Sequence, residues 1–377
     1  MPPIVIDLKK TDDPIDAVHL AVEFLAAGKI VALPTETVYG IAASALNPAA
    51  ADRLGKIKCR SSKQPFSIAV KSADDAYDYV PTLSVMGKRL ARRCWPGPIT
   101  LVVDGTHPDS VITQLPDIIR PMVLIDGAVG LRVPAHEVFQ SVSRLSVGPM
   151  LLTSANLHGE PDCTDCESIV ERLGDQVDLI LNDGPSRYGQ SSTVVKVREN
   201  EYEILRAGVF GDSAMKRMSS FMALLVCTGN TCRSPMAELL LKKRIAEKLK
   251  CKIEELDDKG VIVTSAGVAA MPGDKASQES IDVLQNMELD LSSHESQPVS
   301  DQLLTSADLI LTMTKGHRQA LISHWPDIAE RTHVLCIDGS DVSDPIGGPM
   351  SLYESCAKQI DDQLKTWVEK IDLGIPE

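Results

Sequence analysis

The chain has 377 residues, 44% of them apolar, and a formal net charge of −14. That length suits two domains of ordinary size with adequate cores, and the charge, −6 over residues 1–213 and −8 over the rest, excludes a basic nucleic-acid-binding domain by bulk charge. No apolar stretch nears the ~20 residues a bilayer span needs, and Met1-Pro2-Pro3-Ile4-Val5-Ile6-Asp7 lacks the basic and apolar parts of a signal peptide.

Apolar groups at Val18, Leu20, Ala21, Phe24 and Leu25 have helical spacing over 15–27, and Gly28 suits a C-cap. Residues 30–33 read as a short strand running into Pro34-Thr35-Glu36-Thr37-Val38-Tyr39-Gly40. Further strands are expected at 66–70, 99–103, 129–133, 150–153 and 193–197, with helices near 48–57, 84–94, 136–145 and 166–173. Such alternation implies an α/β domain with a large twisted sheet. Polar residues recur at the ends of these elements: Lys58-Cys59-Arg60, Arg132, Ser154-Ala155-Asn156 and Arg206. Cations with small hydroxyl donors at strand ends suit a nucleoside triphosphate or a carboxylate. Each residue alone also has a plain reading: solvated surface for Lys58, a turn for Ser154 and Asn156, an ion pair for Arg132.

The nine cysteines form no periodic framework. Cys163-Thr164-Asp165-Cys166 lacks a partner pair at zinc-site spacing, so no metal site is expected and both thiols are expected on a surface loop. Many free thiols fit a reducing, cytoplasmic setting.

Residues 211–220 are polar and rich in small side chains, which makes 213–220 the expected linker between a first domain, 1–212, and a second, 221–377. The apolar run 221–226 then reads as a buried strand and leads into Cys227-Thr228-Gly229-Asn230-Thr231-Cys232-Arg233-Ser234. Cys227 is a candidate nucleophile, and Arg233, six positions on, is placed to grip two phosphate oxygens with its planar fork. Gly229 is expected to let the backbone turn its N–H groups inward as an anion nest. Pro235 suits the first turn of a following helix. Strand, loop and helix N-terminus together make an anion site that favours a thiolate.

This second region resembles the low-molecular-weight protein phosphatases, which carry Cys-x-x-Gly-Asn-x-Cys-Arg-Ser-Pro near the N-terminus and an Asp-Pro loop near the C-terminus. The counterparts here are residues 227–235 and Asp344-Pro345, with further matches at Thr264-Ser265-Ala266-Gly267, Leu291-Ser292-Ser293-His294 and residues 307–314. The resemblance implies that Cys227 attacks phosphorus to form a cysteinyl-phosphate. Arg233 then holds the equatorial oxygens, Ser234 hydrogen-bonds the sulfur and Asn230 fixes the loop. Asp344 protonates the leaving group and then activates water; without the family match it would be a plain turn residue. Cys232 has two readings, a thiol that traps an oxidised Cys227 as a disulfide, or loop packing. Thr231 stands where the eukaryotic tyrosine phosphatases commonly have Ile, and Ile346-Gly347-Gly348 stands where they have aromatic residues. Both departures favour phosphoarginine over phosphotyrosine.

The first region resembles the YrdC/Sua5 family. The resemblance rests on Pro34-Thr35-Glu36-Thr37-Val38-Tyr39-Gly40, Lys-x-Arg at 58–60, Trp95-Pro96-Gly97-Pro98-Ile99-Thr100-Leu101, Arg132-Val133-Pro134 and Ser154-Ala155-Asn156, in that order. It implies synthesis of L-threonylcarbamoyladenylate from L-threonine, bicarbonate and ATP, with magnesium, for the N6-threonylcarbamoyl modification of adenosine 37 in tRNA. Lys58, Arg60, Ser154, Asn156 and Arg206 would then face ATP, and Thr35, Arg132 and Ser192 the threonine. The chain departs from the common pattern at Ser61 (Pro), Ala69 (His) and Ser191 (Glu), and a phosphatase-like region replaces the Sua5-type C-terminal domain.

The expected fold is therefore α/β throughout: a twisted mixed sheet first, then a small Rossmann-like parallel sheet. The expected function is a bifunctional cytoplasmic enzyme with no cofactor for the phosphatase and no membrane partner. Its partners would be the small substrates, a phosphoprotein, and tRNA or proteins of its modification machinery. One alternative is an RNA- or nucleotide-binding module without synthase activity, tethered to an active phosphatase. Another is a phosphatase fold that serves as a redox or phosphorylation sensor regulating the synthase.

Overall fold

A computed structural model describes residues 2–58 and 65–375, and the chain divides into one unit ending at Met218 and another running Ser219–Ile375. Local chemistry sets the helix starts. Asp13 and Asn47 accept from backbone N–H groups ahead of Pro14 and Pro48, opening helices Pro14–Ala26 and Pro48–Ile57. Ser84 and Asp165 cap Val85–Cys94 and Cys166–Leu173 in the same way.

Eleven strands of the first unit, among the described residues, form one mixed sheet. In chain order they are β1 (Ile4–Asp7), β2 (Val31–Leu33), β3 (Gly40–Ser44), β4 (Ser67–Ala69), β5 (Ile99–Asp104), β6 (Leu124–Ile125), β7 (Ala128–Arg132), β8 (Met150–Ser154), β9 (Leu179–Asn182), β10 (Thr193–Arg198) and β11 (Glu201–Arg206). The spatial order is β1-β9-β2-β3-β8-β4-β7-β5-β10-β11, with β6 paired to β7. Pairs such as β1–β9 and β5–β10 are parallel, whereas β3–β8 and β5–β7 are antiparallel.

The period-2 alternation of side chains decides what each face does. Leu101, Val103, Val129, Leu131, Leu151, Val195 and Val197 point to one face and join the main core. Their alternates on the same strands, Thr100, Val102, Gly130, Arg132, Leu152, Ser154, Val194 and Lys196, line a cavity on the other face. Farther along that second face, helices Pro14–Ala26 and Glu137–Leu145 cover β2, β3 and β9 with a separate apolar cluster that includes Val18, Ala21, Phe139 and Val142. The sheet is thus roofed by helices over one part and left open as a site over another.

Two sequence expectations are corrected here. Cys163 and Cys166 are buried, Cys163 fully, and both belong to the main core. The backbone of Cys163 bridges Ala155 and Tyr39, which draws its thiol inward, and burial pushes both thiols above the ordinary cysteine range. Residues 213–220 carry most of a helix, Asp212–Ser219, which buries Met215 in the same core.

In the second unit, β12 (Phe221–Cys227), β13 (Val261–Gly267), β14 (Leu309–Thr312) and β15 (Thr332–Val334) form a wholly parallel sheet in the order β13-β12-β14-β15. All seven residues of β12 are buried, as the continuous apolar run predicts. Helices Arg233–Leu249 and Met350–Lys370 pack on one face with Leu240, Leu241, Ile360 and Leu364. Arg244 grips Asp361 across them through Nε–Oδ1 (2.8 Å) and a second nitrogen to Oδ2 (2.5 Å). Burial pushes the Asp361 carboxyl up, but Arg244 and Lys365 outweigh it and hold the carboxyl below its ordinary range. Among the described residues, no helix is long and apolar enough to cross a membrane.

Candidate active sites

The central strand β12 has neighbours on both sides, so its carboxyl end is the topological switch point where open α/β sheets place their ligands. Cys227 is the last residue of that strand, and Arg233 begins the following helix, Arg233–Leu249. The loop between them rests on Gly267. A side chain there would come within 2.4 Å of the Thr228 carbonyl oxygen and 2.9 Å of the Asn230 nitrogen, so only glycine allows this approach.

Asn230, not Gly229, makes the backbone turn. Asn230 has φ +58°, in the left-handed region that Asn tolerates, whereas Gly229 is absent from the positive-φ residues and has room for a Cβ. Asn230 is fully buried and uses every polar group it has. Its backbone N–H donates to Cys227 Sγ (3.2 Å), and its carbonyl meets His294 Nε2 (2.8 Å). Its Nδ2 donates to Ser234 Oγ (2.9 Å) and Ser265 Oγ (2.8 Å), while its Oδ1 accepts from the Gln297 backbone (2.9 Å). Ser265 in turn donates to Glu238 (2.7 Å). With Asn230 donating to it, the Ser234 hydroxyl can turn its own proton to the Cys227 sulfur, 3.0 Å away, or to the Ala266 carbonyl, 3.4 Å away.

Arg233 is buried and pairs with Asp344 Oδ2 at 2.5 Å. The Asp344 carboxylate is half-exposed, and its other oxygen accepts from the Ile346 backbone N–H at 3.2 Å. Ile346 is 70% exposed at this loop. Cys232 is buried, with its sulfur 3.4 Å from Ser277 Oγ and 3.7 Å from Thr231 Oγ1. Sequence reasoning did not single out His317. It lies buried between Thr228 Oγ1 and Thr314 Oγ1, each 2.9 Å from a ring nitrogen, so it pins the first residue of the loop. Burial, then the Arg233 charge, hold its imidazole below the ordinary histidine range. The legible signal was Thr314, whose hydroxyl caps helix Lys315–His324 and sets the ring one turn on.

The cavity of the first unit has a volume of about 730 Å³. It brings together Lys58, Ser154, Asn156 and Arg206 with Thr35, Arg132 and Ser192, which are scattered over some 170 positions of sequence. Arg60 and Ser61 lie outside the described residues. Lys58 is buried rather than solvated, and its ammonium donates to the Asn156 carbonyl (2.7 Å), Asn156 Oδ1 (2.5 Å) and the Ser154 carbonyl (3.1 Å). Ser154 Oγ donates to Asn156 Oδ1 at 2.6 Å. Arg132 donates to Glu36 Oε1 (2.9 Å) and Thr37 Oγ1 (2.7 Å), and Glu36 Oε2 also accepts from the Ala135 backbone. The Arg132 Nε is buried with no hydrogen-bond partner among the described residues, the kind of exception that marks a ligand site. Arg206 grips the Ser192 carbonyl (2.8 Å) and hydroxyl (3.0 Å). Ala69, where a His was expected from the family pattern, is buried in the cluster under helix Glu137–Leu145 and does not line the cavity.

Comparison with known proteins agrees with this division. Residues 23–208 match the Sua5/YciO/YrdC family model, described as telomere recombination, and residues 222–374 match the model of low molecular weight phosphotyrosine protein phosphatase. A threonylcarbamoyl-AMP synthase of Pyrococcus abyssi is 30% identical over 254 residues, covering 63% of this chain and 72% of that protein. A protein-arginine-phosphatase of Bacillus subtilis is 36% identical over 152 residues, covering 39% of this chain and 95% of that protein. A solved structure of P. abyssi Sua5 aligns with a TM-score of 0.51 over 88% of this chain and 98% of that one; at 20% identity it speaks for the fold alone. The chain belongs to the Sua5/YciO/YrdC family through its first unit and to the low-molecular-weight phosphatase family through its second. It is an enzyme that combines a synthase-family unit with a phosphatase-family unit.

Proposed function

We propose that the first unit makes L-threonylcarbamoyladenylate from L-threonine, bicarbonate and ATP, for modification of adenosine 37 in tRNA. The second unit would remove phosphate from phosphoarginine in proteins. The observation that carries the first reading is the single cavity that gathers Lys58, Arg132 and Arg206 with Ser154, Asn156, Thr35 and Ser192. Cations gathered in one concave site suit a triphosphate and a carboxylate held together. Lys58, Ser154, Asn156 and Arg206 would hold the nucleotide, and Arg132, Thr35 and Ser192 the amino acid. Magnesium would arrive on the triphosphate. An ion carried in this way would be bound mainly by phosphate oxygens.

In the second unit, Cys227 Sγ would attack phosphorus while the bond to the leaving group breaks and Asp344 gives that group a proton. Water would then hydrolyse the cysteinyl-phosphate with its proton passing to Asp344, restoring thiolate and acid. Arg233 would exchange its hold on Asp344 for the phosphate oxygens and so free the acid. Cys232, buried beside Ser277 in the same loop, would serve as the resolving thiol after oxidation of Cys227.

Thr231 favours phosphoarginine over phosphotyrosine, since a hydroxyl suits a polar guanidinium leaving group and an apolar group there suits a flat ring. The exposed Ile346 and two glycines, not aromatic side chains, follow Asp344-Pro345. The arginine specificity in the name of the B. subtilis relative supports the same choice. The wild-type chain should therefore hydrolyse phosphoarginine peptides with a higher kcat/KM than phosphotyrosine peptides. Thr231→Ile should move that ratio toward phosphotyrosine by about 1–3 kcal/mol. A wild-type preference for phosphotyrosine would replace this reading with a tyrosine phosphatase.

A further inference from the structure

Among the described residues four cationic side chains, Lys58, Arg132, Lys196 and Arg206, line the cavity of the first unit, and Glu36 answers the charge of one of them, Arg132, at 2.9 Å. Arg206 is answered differently. Its guanidinium fork is committed to Ser192, with Nε 3.2 Å and a terminal nitrogen 2.8 Å from the carbonyl oxygen, and the same nitrogen 3.0 Å from Oγ. Burial pushes this guanidinium down, the negative charge of Asp162 offsets part of that, and Arg132 pushes it lower still. Asp162 also accepts a hydrogen bond from Ser191 Oγ, and Asp162, Ser191, Ser192 and Arg206 all line the cavity.

The segment between these groups has little room to adjust. A Cβ on Gly208 would sit 2.3 Å from the Ser191 carbonyl oxygen and 2.5 Å from the Thr193 nitrogen, and Val209 N–H donates to the Ser191 carbonyl at 3.2 Å. The start of β10 is therefore clamped from one side by residues 208–209. Asp162 and Arg206 hold it through the side chain of Ser191 and through Ser192. Asp162 is itself held in place: the next residue, Cys163, is fully buried and donates its N–H to the Ala155 carbonyl at 3.1 Å.

We propose that Asp162, which accepts from Ser191 from 29 positions away, acts as a positioning residue: it holds the Ser191–Ser192 segment to which Arg206 is bonded, and so sets Arg206 for the nucleotide. The proposal rests on the synthase reading, which places Arg206 on the ATP side of the cavity. It does not make Asp162 a group that touches the reacting atoms. It makes the local charge movable, because any carboxylate placed on the Ser191–Ser192 segment beside Arg206 should do the same work.

The test uses the full chain and two readouts: ATP affinity by calorimetry, and steady-state formation of threonylcarbamoyl-AMP with KM for ATP and for threonine measured separately. Asp162→Asn keeps an oxygen acceptor for Ser191 and removes the charge. It should weaken ATP binding and raise KM for ATP about 10–100-fold, the range expected for a charge-assisted contact, with kcat changed less than about threefold. Asp162→Ser should behave like Asp162→Asn. Adding Ser191→Glu to Asp162→Ser should bring ATP affinity back to within about fivefold of wild type, which a loss of folding would not allow. Thermal melting and p-nitrophenyl phosphate hydrolysis by the same chains report whether each unit is folded. Wild-type ATP affinity in Asp162→Asn, or a double variant no better than Asp162→Ser, overturns the proposal. A wild-type chain that binds ATP but forms no product overturns the synthase reading instead, and the calorimetric comparison still decides the role of Asp162.

Discussion

Cys227→Ser should lower hydrolysis of p-nitrophenyl phosphate by about three orders of magnitude or more, the scale on which removal of a nucleophile acts. Serine is close to isosteric and can still accept from the Asn230 N–H, and the other groups that fix the loop do not depend on the sulfur. Asn230 still reaches Ser234, Ser265, His294 and Gln297, and His317 still pins Thr228. What changes is the attacking atom, because an alkoxide is far harder to form than a thiolate. Activity within a few-fold of wild type would remove Cys227 from its assigned role. Asp344→Ala should separate the two halves of the chemistry. It should slow turnover of phosphoarginine peptides more than that of p-nitrophenyl phosphate, whose leaving group needs little protonation.

Arg132→Ala should destabilise the first unit by about 3–5 kcal/mol, the cost of leaving one member of a buried ion pair without its partner. Arg132 and Glu36 keep 9% and 5% of their side chains exposed, so water cannot take over the lost charge. Glu36 would keep the Ala135 N–H but face a cavity wall without its cation. Removing both charges together, as Arg132→Met with Glu36→Gln, should recover most of that stability, since an uncharged pair carries no desolvation penalty. It should not recover synthesis, because the cation assigned to threonine would still be missing. Denaturant melts of the two variants against wild type decide this. A single variant within about 1 kcal/mol of wild type would mean that the pair is solvated in solution.

The phosphatase loop was legible because its information is local. Strand, nucleophile, arginine and helix follow one another within residues 221–241, and neighbours in sequence remain neighbours in space. Even there the turn was assigned to Gly229, when Asn230 takes the left-handed conformation and anchors the loop through its side chain. Composition marks the glycine, whereas the network around Asn230 comes from Ser265, His294 and Gln297, which only the fold brings near. In the first unit the expected strands match β2, β4, β5, β7, β8 and β10, whereas β1, β6, β9 and β11 were missed, and so was β3. Its Gly-Ile-Ala-Ala-Ser sequence has low strand propensity and is held by pairing on both sides, with β2 and β8. β1 and β9 pair across nearly the whole unit, a contact no local pattern encodes. Cys163 misled for a related reason: a polar, loop-like neighbourhood conceals a backbone that bridges Ala155 and Tyr39 inside the core. Lys58, Arg132 and Arg206 each stand at the end of a regular element, and the fold turns those ends toward one cavity.

Mass spectrometry of the full chain incubated with ATP, L-threonine, bicarbonate and magnesium is the most direct test of the first unit's proposed activity. The expected result is threonylcarbamoyl-AMP formed together with one pyrophosphate per product, and no product when threonine or bicarbonate is left out. ATP bound at the cavity without any adduct or pyrophosphate would contradict it, and would leave the first unit a nucleotide-binding module joined to a phosphatase.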